Sequence, residues 1–100
     1  MNNSNDKFIC YVEGVNHYVI NNEYPSINET VVLIHEPNNK FDKNCIGVYN
    51  VYLKKIGNIP KRANLFIGEK LFFKPSFAKV KSVYGNLNTL IIEICFSKKH

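Results

Sequence analysis

The stretch from His35 to Arg62 leaves this chain few folds to choose from. An apolar run, Val31-Val32-Leu33-Ile34, stops abruptly at Pro37-Asn38-Asn39. Phe41-Asp42-Lys43-Asn44 follows and is too polar for a strand interior. Its Asp and Asn side chains are the types that bond their own nearby backbone and fix a turn. An aromatic held inside such a turn does not easily reach a core. Two short strands are then expected at about Ile46–Val51 and Leu53–Ile59. The link between them is too short for a helix. Pro60 opens a helix next, since the first helical position has no use for the N–H that proline lacks.

The rest of the chain supplies more strands. Phe8 to Val15 is β-rich, with Gly14 marking a bulge or bend at the rim of a curved sheet. Asn16-His17-Tyr18 makes a polar-aromatic cluster at its exit, and Asn21 to Ser26 reads as a loop punctuated by Pro25. Glu29 to His35 is a second strand. Pro60 to Glu69 is the convincing helical segment, with Ala63, Leu65, Phe66 and Ile67 assigned to its inner face. Leu71-Phe72-Phe73 either extends that helix or begins a strand, and periodicity does not decide between them. Phe77 to Val83 alternates apolar residues with lysine, Tyr84-Gly85-Asn86 is a hairpin turn, and Thr89 to Phe96 is the last strand. Residues 1–6 and 97–100 are expected to fray. The result is one mainly β domain over residues 1–100, six strands with one short helix between the fourth and fifth, closing into a small, partly open β-barrel.

Composition narrows the chemistry. Cys10, Cys45 and Cys95 are odd in number, lie far apart and sit among apolar neighbours, which argues for buried thiols in a reducing, intracellular setting. No apolar run approaches a membrane span, and the polar start Met1-Asn2-Asn3-Ser4-Asn5 does not read as a signal peptide. No catalytic constellation, Walker loop or metal-ligand spacing is present, so neither enzyme activity nor a cofactor is expected. Cys10 beside His17 imitates a nucleophile and base, but an apolar strand raises a thiol's pKa and makes it inert. Charge is uneven. Residues 1–50 hold three lysines against six acids, whereas residues 51–100 hold ten lysines and arginines against two acids. A basic half suits a polyanion, although lysines also simply solvate a surface.

Glu36-Pro37, Asn39, Phe41-Asp42-Lys43-Asn44, Cys45-Ile46 and Ile56-Gly57-Asn58-Ile59-Pro60 occur in an order that resembles the HIRAN family. That family is named for its place at the N-terminus of certain DNA-repair helicases. The resemblance is close over about a quarter of the chain and implies an OB-like barrel. It also implies capture of the 3′ end of single-stranded DNA, with terminal bases splayed between aromatics and the terminal hydroxyl bonded to an Asp. Carried over, Phe41 would stack on a base and Asp42 would accept the hydroxyl while repelling a 3′-phosphate. Lys61 at the helix start would hold a phosphate, and Tyr84 would supply a second aromatic wall. Asn16-His17-Tyr18 stands where the DNA-binding members carry an Arg-aromatic pair, Lys40 where proline is usual, and Phe41 where tyrosine is commoner. The loops at 16–18, 39–44, 58–62 and 84–86 would gather around one groove.

Plainer roles stand beside these. Asp42 and Asn44 would serve equally to tie the turn, Phe41 to cover the core, Lys61 to solvate the surface, and Tyr84 to pack a hairpin; His35 reads as a strand-end surface group. Two other functions fit the sequence. One is a protein-interaction or adaptor module, a viral or bacterial factor acting on a repair or defence complex, since end capture without a motor performs no work. The other is general single-strand or RNA binding through the lysines.

Overall fold

The computed structural model describes residues 6–97. β1 (Asp6–Tyr11), β2 (Thr30–His35), β3 (Ile46–Asn50), β4 (Lys55–Asn58), β5 (Ser76–Tyr84) and β6 (Thr89–Phe96) form one antiparallel sheet in the order β1-β6-β5-β2-β3-β4. Its two outer strands approach each other at an isolated antiparallel bridge, Glu13 to Asn58, with both backbone bonds made at 2.8 and 2.9 Å. The sheet therefore curls into a partly closed barrel of the expected OB-like kind. Curvature comes from two places where one strand carries an extra residue: Lys81 between Val80 and Ser82 opposite Ile91–Ile92, and Ile56 between Lys55 and Gly57 opposite Val48–Tyr49. Such bulges bend a strand and increase its twist.

β6 shows why the sequence folds this way. Its burial alternates residue by residue, placing Leu90, Ile92, Ile94 and Phe96 wholly inside. They share one core with Val80 of the adjoining β5 and with Ile46 and Val48 of β3. At about 25 cal/mol per Å² of apolar surface removed from water, this inward row is the main stabilising force.

Several sequence-based boundaries shift. β1 ends at Tyr11 rather than Val15, and Gly14 takes a left-handed φ of 76° to turn the chain into a single helical turn, α1 (Val15–Tyr18). Asn16, His17 and Tyr18 are thus on a helical turn, not on an extended strand exit. α2 runs from Lys61 to Phe73, so Leu71-Phe72-Phe73 extends the helix. Leu65 and Phe66 do not face inward; they are 69% and 49% exposed, and the inner positions belong to Asn64 and Ile67. Phe66 instead lies edge-on to Phe8 at 5.1 Å. The link from β5 to β6 is a 3₁₀ turn over Gly85–Leu87, closed by a left-handed Asn88. Asp6 already pairs with Phe96, and the Ser97 amide donates to Pro75 at 2.9 Å, so neither is frayed; the remaining terminal residues lie outside the described span. Among the described residues no helix is long and apolar enough to cross a membrane.

Candidate functional site

The turn between β2 and β3 is held by its own side chains. The Asn39 carboxamide oxygen accepts the amides of Phe41 and Asp42 at 2.9 and 3.0 Å, and the Asp42 carboxylate accepts the Asn44 amide at 3.0 Å. Asn44 contributes its backbone rather than its side chain to this tie. Cys45 closes the turn by donating its amide to the Asp42 carbonyl at 3.0 Å, and the His35 ring bonds the Lys43 carbonyl at 2.9 Å. The amides of Asn39, Phe41, Asp42, Asn44 and Cys45 are thus engaged, and the Phe41 ring lies in solvent, 89% exposed.

Asp42 reaches the other way. Its second oxygen accepts the amide of Asn64, the one buried polar side chain among the described residues. The start of α2 is thereby fastened to the turn, and Lys61 stands exposed at the first helical position beside it. Each Asp42 oxygen accepts one hydrogen bond, whereas a carboxylate offers about four acceptor sites, so further donors can be taken.

A second cluster lies behind the turn. Glu36 accepts from Lys55 at 2.9 Å and from the Tyr49 hydroxyl, and the Cys45 thiol lies 3.3 Å from the Asn58 side-chain oxygen and 3.7 Å from Glu36. Lys55 also stands 5.0 Å from the centre of the Tyr18 ring, and Tyr18 meets His17 edge-on at 4.9 Å. A Cβ placed on Gly14 would sit 3.6 Å from the Tyr18 ring and 3.8 Å from the Asn58 amide nitrogen, which locates both in one corner. These links bring α1, the 39–45 turn, the end of β4 and the start of α2 together.

Asn16 and His17 are exposed there, and Tyr18 is half-buried. Tyr84 is joined less directly. It pairs with Thr89, and the next residue, Leu90, accepts the Val12 amide at 2.8 Å just before the Glu13–Asn58 bridge. Its ring is 49% exposed, so it stands on the rim rather than in the linked cluster.

Electrostatics reorganise the charge asymmetry of the sequence. Acids of the first half meet lysines of the second: Asp6 with Lys70 and Lys74, Glu23 with Lys54, and Glu36 with Lys55. Much of the basic excess is consumed internally. Lys61 forms no ion pair with another described residue, and Arg62 lies 5.7 Å from the Tyr11 ring. Burial alone would raise the Glu36 carboxyl, but hydrogen bonds from Tyr49 and Lys55 and the Lys55 charge offset it, leaving its pKa below the ordinary 4.5. Cys10 and Cys95 are half-buried rather than fully buried; burial still pushes the Cys10 thiol up to about 11, as an inert thiol requires. No group of three or more His, Cys, Asp or Glu that could hold a metal occurs among the described residues.

A depressed carboxyl carries a testable consequence. The unfolded chain takes up the Glu36 proton at a higher pH than the folded one. Its contribution to stability is therefore present above the ordinary 4.5 and is lost as pH falls through the lowered folded value. Urea unfolding of Glu36→Gln should show a flatter acid limb than wild type. Glu36→Ala, which strips Lys55 and Tyr49 of their acceptor, should cost about 1–2 kcal/mol at neutral pH.

The model of the HIRAN domain family matches residues 6–88, most of the chain. The chain belongs to the HIRAN domain family. Among solved structures it is similar to the crystal structure of the HIRAN domain of human HLTF, with a TM-score of 0.72 and 26% identity over 93% of this chain and 77% of that one. A protein from Lactobacillus plantarum shares the fold at TM-score 0.73 and 16% identity, covering 94% of this chain and 99% of its own. The HLTF HIRAN domain in solution gives 0.60 and 24% identity, covering 94% of this chain and 81% of that one. No curated protein matches the chain.

Sequence reasoning missed Asn64, Lys55, Glu36 and Tyr49. Asn64 was within reach, because Asn64, Ile67 and Leu71 recur at three- and four-residue spacing, the period of a helix's inner face.

Proposed function

We propose that this HIRAN domain is a non-enzymatic module that binds single-stranded DNA and captures its 3′ end. The observation that carries the reading is the opposed setting of two adjacent residues. Phe41 stands exposed to solvent on a turn tied by the Asn39 and Asp42 side chains, while Asp42 beside it is anchored to α2. A bare ring on a rigid turn is a platform for a base, and stacking is worth about 1–3 kcal/mol per base. The Asp42 carboxylate accepts a terminal hydroxyl and repels a terminal phosphate. Lys61 and the N-terminal amides of α2 bind the preceding phosphate. Asn16, His17 and Tyr18 supply hydrogen bonds and a second ring near the Lys55 corner, and Tyr84 a wall at the rim.

The test is a paired titration of labelled oligonucleotides identical except for a 3′-hydroxyl or a 3′-phosphate, at one fixed salt concentration. The hydroxyl form should bind at least about ten-fold tighter, a difference of about 1.4 kcal/mol. Asp42→Asn should narrow that gap, because a neutral amide does not repel the phosphate. Equal affinity for the two ends in the wild-type protein would refute end capture.

A further inference from the structure

The sheet splits between β2 and β5. Val31 pairs with Ala78, and the Val80 amide donates to the Glu29 carbonyl at 2.9 Å, so odd-numbered residues of this segment turn their backbone groups toward β5. On the other side, the Glu36 amide donates to Cys45 at 2.8 Å, which gives the even-numbered residues to β3. By this alternation Leu33 and His35 also face β5, and Ser76 faces back. Yet pairing stops at Val31–Ala78. The strands diverge beyond it, leaving the backbone N–H and C=O groups of Leu33 and His35 without a strand partner, two residues or about 6.7 Å apart.

The divergence opens a cleft of about 730 Å³ lined by Leu33, His35, Leu65, Gly68, Leu71 and Phe72, among others. A smaller cavity of about 290 Å³ occupies the apex of the split, between Val31–Leu33 and Ser76–Ala78. The far wall is the outer face of α2. Leu65, Gly68, Glu69 and Phe72 recur there at i, i+3, i+4 and i+7, and Leu65 and Phe72 are 69% and 82% exposed. Two large apolar side chains facing solvent across from an unpaired strand edge need a partner to cover them.

We propose that this cleft takes an extended peptide segment of a partner protein, added to β2 as a strand, with one apolar side chain lodged between Leu65 and Phe72. The occupant follows from the chemistry of the two walls. Alternating N–H and C=O groups at strand spacing complement another polypeptide backbone, and the helical stripe complements an apolar side chain. A strand edge facing a helix is the arrangement used wherever a peptide is bound by strand addition beside a helix. Asn44 and Asn64 also line the cleft, so it adjoins the Asp42 turn, but the unpaired edge of β2 and the Leu65–Phe72 stripe are separate from the residues of the DNA reading.

The experiment begins with the free protein: in hydrogen exchange by NMR, the Leu33 and His35 amides should exchange fast while those of Val32 and Ile34, bonded to β3, exchange slowly. A phage-displayed library of random heptapeptides is then selected on the whole chain, and enriched sequences are synthesised. The peptides should share an apolar residue, slow the exchange of Leu33 and His35, and bind at least ten-fold more weakly to Leu65→Ser and to Phe72→Ser, whose native side chains are exposed and whose loss leaves the core intact. Methylating one peptide amide that faces β2 should abolish binding. No enrichment over a control protein, or binding that leaves the Leu33 and His35 amides unchanged, overturns the proposal. So does a concentration-dependent dimer abolished by Phe72→Ser, which would give the cleft to a second copy of the chain.

Discussion

Replacing Phe41 by alanine is expected to weaken binding of a single-stranded oligonucleotide with a free 3′-hydroxyl by about five- to 150-fold, without moving the unfolding midpoint. The range is the ~1–3 kcal/mol that stacking contributes per base, converted to affinity. The stability half of the prediction rests on the ring's 89% exposure and on the turn being held by Phe41's amide rather than its side chain. Phe41→Leu separates two explanations. If the ring acts as a π-face, leucine restores little; if it only contributes apolar area, leucine restores most of the affinity. Anisotropy titration of a labelled oligonucleotide at fixed salt reads both variants, and an unchanged affinity in Phe41→Ala would remove the platform from the mechanism.

Such a separation of binding from stability is possible because the turn was assembled to be rigid without the ring. This much was legible in the sequence: Asn39, Asp42 and Asn44 are residue types that fix turns, and an aromatic among them is held away from the core. What could not be read was the direction of the Asp42 carboxylate. One of its oxygens closes the turn, as a purely local reading supposes, but the other is bound by Asn64, 22 positions further on. That bond also explains the misassignment of the helix. Apolar residues were given the inner face, yet a buried amide with a committed acceptor displaced Leu65 and Phe66 outward. A polar group goes inside when its partner is fixed there, and the partner was distant in sequence.

The strands were easier, for a reason visible in β6. Alternation with a period of two is a local property, and every second residue from Leu90 to Phe96 is wholly buried. α1 was invisible because one helical turn leaves no periodicity to detect, and its only signal, Gly14, serves a bend and a left-handed helix entry equally well. Charge was misleading in the opposite sense. The halves of the chain differ in sign, but the fold interleaves them, so the basic excess over residues 51–100 overstates the positive surface open to a ligand. Lys61 stands at a helix N-terminus and forms no ion pair with another described residue, so its charge is not among those the fold consumes.

The seam that closes the barrel should be the most sensitive point of the scaffold, and Gly57→Ala the substitution that exposes it. A Cβ at Gly57 would lie 2.5 Å from the Glu13 carbonyl oxygen and 2.5 Å from a methyl of Val12. The backbone at Glu13 is fixed by its paired bonds to Asn58, and Val12 is 4% exposed within the core, so neither neighbour yields easily. Overpacking of this kind costs about 1–3 kcal/mol. For a domain of this size that is a fall in unfolding midpoint on the order of 10 °C. The seam also carries Asn58 and sets α1 against it, with the Tyr18 ring and Lys55 in the same corner. Gly57→Ala is therefore expected to lower both the midpoint, followed by circular dichroism, and the affinity for a single-stranded oligonucleotide. Phe41→Ala lowers only the second. A Gly57→Ala protein that melts with wild type would mean that the two outer strands do not close on each other in solution, and α1 would then have no fixed place beside the Asp42 turn.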